Sequence, residues 1–154
     1  MAFKSKQKNK KLIYGKVQKK SYKKYWLKED DSGRFFKISK RELRKVFPGD
    51  RVKCSFTEKG WVSIEKVLER NTHQIIGRVE KLGKKHKAIP INLGRFFSIE
   101  LEGDIPKTTS LKNLANIKIT QQPSFNNSAK GVISKLFQEE VETRAIEIAI
   151  SKYN

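Results

Sequence analysis

Basic and aromatic residues interleave in two short stretches of this chain, Lys24-Tyr25-Trp26-Leu27-Lys28 and Arg34-Phe35-Phe36-Lys37. On extended backbone, successive side chains point to opposite faces. If Tyr25 and Leu27 point inward, then Lys24, Trp26 and Lys28 share an outer face. If Phe36 and Ile38 point inward, Phe35, Lys37 and Ser39 point out. Exposed rings among ammonium groups suit single-stranded nucleic acid, because each ring stacks on a base for about 1 to 3 kcal/mol while lysines follow the phosphates. The plainer alternative is a Trp26 packed under a loop and a merely solvated basic face. Both readings stay open for Trp26 and Phe35, whereas Phe36 and Phe97 are assigned to a core.

Other chemistry finds little support. His73 and His86 stand 13 residues apart with no cysteine partners, which is not a zinc spacing. The aspartates are Asp30, Asp31, Asp50 and Asp104, and each falls where Gly, Pro or Ser marks a turn. They read as turn formers rather than as an oxygen-ligand set for a metal. The single cysteine, Cys54, excludes an internal disulfide framework and reads as a strand residue with a free thiol. The Asn126-Asn127-Ser128 sequon carries little meaning without a secretion signal.

Charge singles out a partner class. The chain has 35 Lys and Arg against 16 Asp and Glu, a net charge of +19 in 154 residues. A charge of that size and sign favours a polyanion through steering and counterion release. The sequence shows no long apolar run, no apolar signal segment and no long basic amphipathic helix. A nucleic acid is therefore expected rather than a membrane, in a soluble cytoplasmic protein. Residues 1–70 hold 22 basic against 8 acidic residues, whereas residues 71–154 hold 13 against 8. Contact with a polyanion should lean on the first half. Lys4 to Lys11, "KSKQKNKK", has no apolar residue to bury and is read, within residues 1–11, as a flexible basic arm.

The elements that must position these residues come from a repeat. Tyr14 to Ser39 and Ile76 to Glu100 follow one order: a Gly-basic-Val opening, a lysine-rich middle, a short apolar run, then Gly-Arg-Phe-Phe. "WVSIEKVLE" at Trp61 to Glu69 matches "KGVISKLFQ" at Lys130 to Gln138. Duplication of a unit of about 60 residues accounts for both matches. Short apolar alternations divided by Asp30-Asp31-Ser32-Gly33, Pro48-Gly49-Asp50 and Lys59-Gly60 predict strands. "SKRELRKVF" predicts a short helix with Ser39 as N-cap and Glu42 in the capping-box position. Three strands, a helix and two strands make the five-stranded OB pattern, a Greek-key barrel. The expectation is an all-β chain: a first domain over 12–72, a second over 73–138, and a C-terminal helix over 139–154. Candidate contacts in the second copy are Lys84, Lys85, Arg95 and Phe96. There Ala88 takes the position spaced like Trp26, and Pro90 interrupts a strand, which proline tolerates only at an edge or bulge.

The run from "GKV" through "PGDRVKC" to "GWVSIEKVLERNTHQIIGRV" resembles the tandem cold-shock domains at the front of the ribonuclease II and ribonuclease R family of 3′ to 5′ exoribonucleases. "PGDRV" followed by "VLERNTHQIIGRV" is the most specific element. "EVETRAIEIAISKYN" resembles the lead into the family's catalytic domain. The resemblance implies single-stranded RNA as partner, in a monomer that delivers RNA to a hydrolytic domain beyond residue 154. It also implies that the magnesium-holding aspartates lie there, so that this chain needs no cofactor and cleaves nothing alone. A free-standing RNA chaperone or regulator is the alternative. The chain departs from ordinary cold-shock domains in carrying Lys23-Lys24-Tyr25-Trp26 in place of Lys-Gly-Phe-Gly-Phe, and Lys37 where an aromatic is common. Phosphate contact takes over from some stacking.

Overall fold

Two stretches, residues 11–105 and 114–137, are described by the computed structural model. The chain divides into two compact units between Thr72 and His73. Residues 1–10 of the expected arm over 1–11, and the expected helix over 139–154, lie outside the described residues. Among the described residues every regular element except two single turns is a strand, so the fold they make is all-β.

The first unit has β1 (Leu12–Ser21), β2 (Lys24–Glu29), β3 (Phe35–Lys37), the one-turn helix α1 (Lys40–Leu43), β4 (Arg51–Phe56) and β5 (Val62–Glu69). Its sheet runs β3-β2-β1-β4-β5. A parallel bridge from Ile38 to Val62 joins the two outer strands. Alternation along β1 buries Ile13 and Val17 and exposes Tyr14 and Lys16, and β2 buries Tyr25 and Leu27. Fully burying one such aliphatic side chain stabilises by about 1.5 to 3 kcal/mol. Gly15 alternates with them because a Cβ there would collide with the Lys28 carbonyl oxygen. Behind α1, Leu43, Val46 and Phe47 close the core.

Two carboxylates expected in local roles reach further. Asp50 is fully buried, and its oxygens accept from the backbone N–H of Phe47 (3.0 Å), the backbone N–H of Asn71 (2.8 Å) and the Arg70 guanidinium (3.3 Å). The turn aspartate thus also ties the end of the unit to its middle. Ser39 caps α1 by accepting from the Glu42 N–H. Glu42, however, does not complete a capping box. Its carboxylate accepts from Ile64 N–H at 2.6 Å and from Ser63 Oγ at 3.2 Å on β5, and pairs with Lys45 at 3.0 Å.

The second unit has β6 (Gln74–Leu82), β7 (Lys85–Pro90), β8 (Ile99–Leu101), β9 (Leu114–Gln121) and β10 (Lys130–Phe137), closed into a barrel in the order β10-β8-β7-β6-β9. Its parallel β8–β10 pairing corresponds to the Ile38–Val62 bridge of the first unit.

The doubled Gly-Arg-Phe-Phe phrase does not occupy equivalent places. In the first unit Val17, Leu27 and Phe36 lie side by side across β1, β2 and β3. In the second the corresponding row is Val79, Ala88 and Ile99. Ile99 takes the place of Phe36, and Arg95–Phe97 form a 3-10 turn before β8 instead of a strand. Phe97 is buried as expected, whereas Phe36 is only half-buried and packs edge-on against Phe56, with centroids 5.1 Å apart. Pro90 ends β7. Ile91 donates to Ile76 O, so the Pro90 nitrogen faces the opposite side, past the last β7–β8 pair, where no ladder bond is lost.

Candidate nucleic-acid interface

Outward positions of β1, β2 and β3 form one face of the first unit. Across it run two rows set by register: Gln18, Trp26 and Lys37, and beside them Lys16, Lys28 and Phe35. None of the six is acidic. Both Trp26 and Phe35 are half-buried, and their surroundings are cationic. The Lys20 ammonium stands 3.7 Å from the Trp26 ring centroid and 5.8 Å from that of Phe35. Lys37 approaches Trp26 at 5.5 Å and Lys28 approaches Phe35 at 5.9 Å. Cation–ring attraction of about 0.5 to 1 kcal/mol at exposed sites holds these lysines near the rings while leaving their charge available to anions.

The structure gathers Lys24, Trp26, Lys28, Phe35 and Lys37 as the alternation predicted. Arg34 does not join them, because its guanidinium stands 5.7 Å from Phe36, the ring on the opposite side of β3. Sequence reasoning overlooked Lys16 and Lys20 on β1 and Trp61 before β5. The buried series Ile13, Gly15 and Val17 already put Tyr14, Lys16 and Gln18 on the outer face. Trp61 is more than a third exposed, and the Lys37 ammonium is 5.6 Å from its ring. No local pattern announced that contact, which comes from the closure of β3 on β5.

The same face of the second unit differs in charge. Where the first has Gln18, Trp26 and Lys37, the second has Glu80, Lys87 and Glu100. Lys87 therefore holds the position expected for Ala88, which is fully buried. Arg95 makes a two-pronged ion pair with Glu80, at 2.6 Å for both contacts. That bond holds the Glu80 carboxyl below its ordinary value, and the carboxylate in turn raises Arg95. Lys85 lies 3.8 Å from Glu100, Lys84 sits in the hairpin turn, and Phe96 is exposed with its edge on Phe97. The four expected contacts of the second unit are thus dispersed, and two of their cations already face carboxylates.

Reactive groups are scarce. Among the described residues no three His, Cys, Asp or Glu side chains come together in a way that could hold a metal. Cys54 is buried, and burial, with Glu42 and Glu65 adding to it, pushes its thiol up to about 12. Such a thiol is inert at neutral pH. Among the described residues no helix is long and apolar enough to cross a membrane.

Comparison with known proteins agrees with this picture of the fold. No family model matches the sequence. Ribonuclease R of Aquifex aeolicus is 32% identical over 130 residues, which cover 82% of this chain and 18% of that protein. Mycoplasma genitalium RNase R, solved in complex with ribose-methylated single-stranded RNA, superimposes with a TM-score of 0.66 at 15% identity, over 87% of this chain and 23% of that one. Yeast Ssd1, described as a pseudonuclease, gives a TM-score of 0.68 at 14% identity, over 96% of this chain and 25% of that one. The chain thus spans about a fifth to a quarter of the length of these proteins.

Proposed function

This chain belongs to the ribonuclease R family over the stretch that aligns, and from that premise we propose that it binds single-stranded RNA, with little regard to sequence, on the β1–β3 face of its first unit. The observation that carries the proposal is the row Gln18, Trp26, Lys37 beside Lys16, Lys28, Phe35: two rings with lysines around them and no carboxylate among them. Rings stack on any base, and lysines bind any phosphate. Neither of these two contacts depends on which base the strand carries. Both units are OB-type barrels of the cold-shock kind in this reading, which the shared strand order supports. The second unit, with Glu80 and Glu100 on its face, guides RNA rather than gripping it.

The chain works as a monomer in the cytoplasm, as the substrate-binding part of a 3′ to 5′ exoribonuclease. Cleavage and its magnesium belong to a catalytic domain following this region, and no residue described here is assigned to hold the metal. Titration of labelled single-stranded and duplex RNA at two salt concentrations, with Trp26→Ala and Phe35→Ala alongside, tests the binding reading. Tighter binding of the single strand, weakened by salt and by each substitution, is expected. Equal affinity for both forms contradicts it. Incubation with magnesium and a 3′-tailed RNA should leave the RNA intact.

A further inference from the structure

A groove of about 440 Å³ opens at the end of the first unit's face, lined by Ser39, Thr57, Glu58, Lys59, Trp61 and Val62. Its size falls in the usual range for small-ligand sites. Trp61 supplies an exposed ring, and the Thr57–Trp61 turn that frames it is fixed by two bonds: Thr57 N–H donates to Trp61 O at 2.7 Å, and Trp61 N–H donates to Thr57 Oγ1 at 3.2 Å. The hydroxyls of Ser39 and Thr57 both accept backbone bonds, from Glu42 and Trp61, and so keep their protons to donate. What joins this groove to the RNA face is Lys37, whose ammonium lies 5.5 Å from the Trp26 centroid and 5.6 Å from the Trp61 centroid. The two rings are therefore no more than about 11 Å apart, roughly three nucleotide rises of 3.4 Å.

We propose that this groove is a second base-binding site, in which one unpaired base stacks on Trp61 while Lys37 holds a phosphate of the short strand segment that connects it to the base on Trp26. The occupant is a single-stranded nucleic acid continuing from the β1–β3 face. Its path is argued from the shared lysine, from an apolar ring that is open to solvent, and from hydroxyl donors that any base or ribose can accept. The inference rests on the proposed RNA-binding role. It adds a direction to it: the strand runs from the β2–β3 rows toward the β4–β5 hairpin.

The test is a length series of fluorescein-labelled oligouridines, from three to twelve nucleotides, bound by the full chain and by its Trp26→Ala, Trp61→Ala and Trp61→Phe variants. Trp26→Ala should weaken every length. Trp61→Ala should leave the shortest oligomers unaffected and weaken the longer ones about 5- to 160-fold, the worth of one stack. Trp61→Phe should restore most of the loss, with unchanged far-ultraviolet circular dichroism for all three variants. If the longest oligomers bind Trp61→Ala as tightly as they bind the unsubstituted chain, the second site is refuted and the β1–β3 face stands. If the unsubstituted chain binds no oligomer, both readings fall.

Discussion

Replacing Lys16, Lys20, Lys24, Lys28 and Lys37 together by alanine removes the cations of the β1–β3 face without touching its core. All five side chains are on outward or exposed positions of strands whose inward residues are Val17, Tyr25, Leu27 and Phe36. If each lysine neutralises one phosphate, five contacts contribute a slope of about −3.5 to the plot of log affinity against log salt, at about −0.7 per contact for a single strand. Between 50 and 200 mM salt that slope alone weakens binding roughly 100-fold. The fivefold variant should lose this steepness, and each single variant about 0.7 of it. Trp26→Ala should behave in the opposite way, losing affinity while keeping the slope, because it removes a stack and no charge. Fluorescence anisotropy of a labelled single-stranded RNA over four salt concentrations reads both quantities. Lys84→Ala with Lys85→Ala is the control. Lys85 already faces Glu100, so the pair should change the slope by less than two face lysines do. An unchanged slope in the fivefold variant, or an equal change in the control, refutes the assignment of phosphate contact to this face.

Further outcomes follow from the packing and the titrating groups. Asp50→Ala removes the buried acceptor of one Arg70 bond and of the Phe47 and Asn71 backbone N–H groups, and should cost about 2 to 5 kcal/mol in urea unfolding, at about 1 to 3 kcal/mol for each buried donor that loses its bond. Glu80 has a folded pKa below its unfolded value because Arg95 bonds to its carboxylate, so the pair is intact above the unfolded pKa and is lost as pH falls through the folded one. Carbon-detected NMR titration should place the Glu80 midpoint below an ordinary glutamate, and Arg95→Ala should return it upward. Cys54, buried and with its thiol pushed up to about 12, should resist a disulfide reagent at pH 8 until the first unit unfolds. Rapid labelling of the native protein would show that the strand opens locally.

Much of the first unit was legible because strand alternation decides it. The inward series Val17, Tyr25 and Leu27 and the outward series Lys24, Trp26 and Lys28 need only a period of two. The second unit misled where four identical letters suggested equivalent places. Gly-Arg-Phe-Phe forms a strand where Phe36 can pair across from Leu27, and a 3-10 turn where Ile99, two residues later, takes that pairing instead. Register is fixed by which apolar side chain faces the core, not by a shared word, and the one-for-one match of Trp26 with Ala88 failed for the same reason. The ion pairs of Arg95 and Lys85, the reach of Glu42 to β5 and the Lys37–Trp61 contact were not legible at all. Each joins residues distant in sequence, and only the tertiary fold brings them together.

The proposed binding places RNA on one face of the first unit. It is tested most directly by assigning the amide and indole N–H resonances and adding a single-stranded oligouridine stepwise. The largest shifts should fall on β1, β2 and β3, with the Trp26 indole among the first to move, and with smaller changes on β6, β7 and β8. Shifts concentrated on the second unit, or an unmoved Trp26 indole at saturation, would contradict the account.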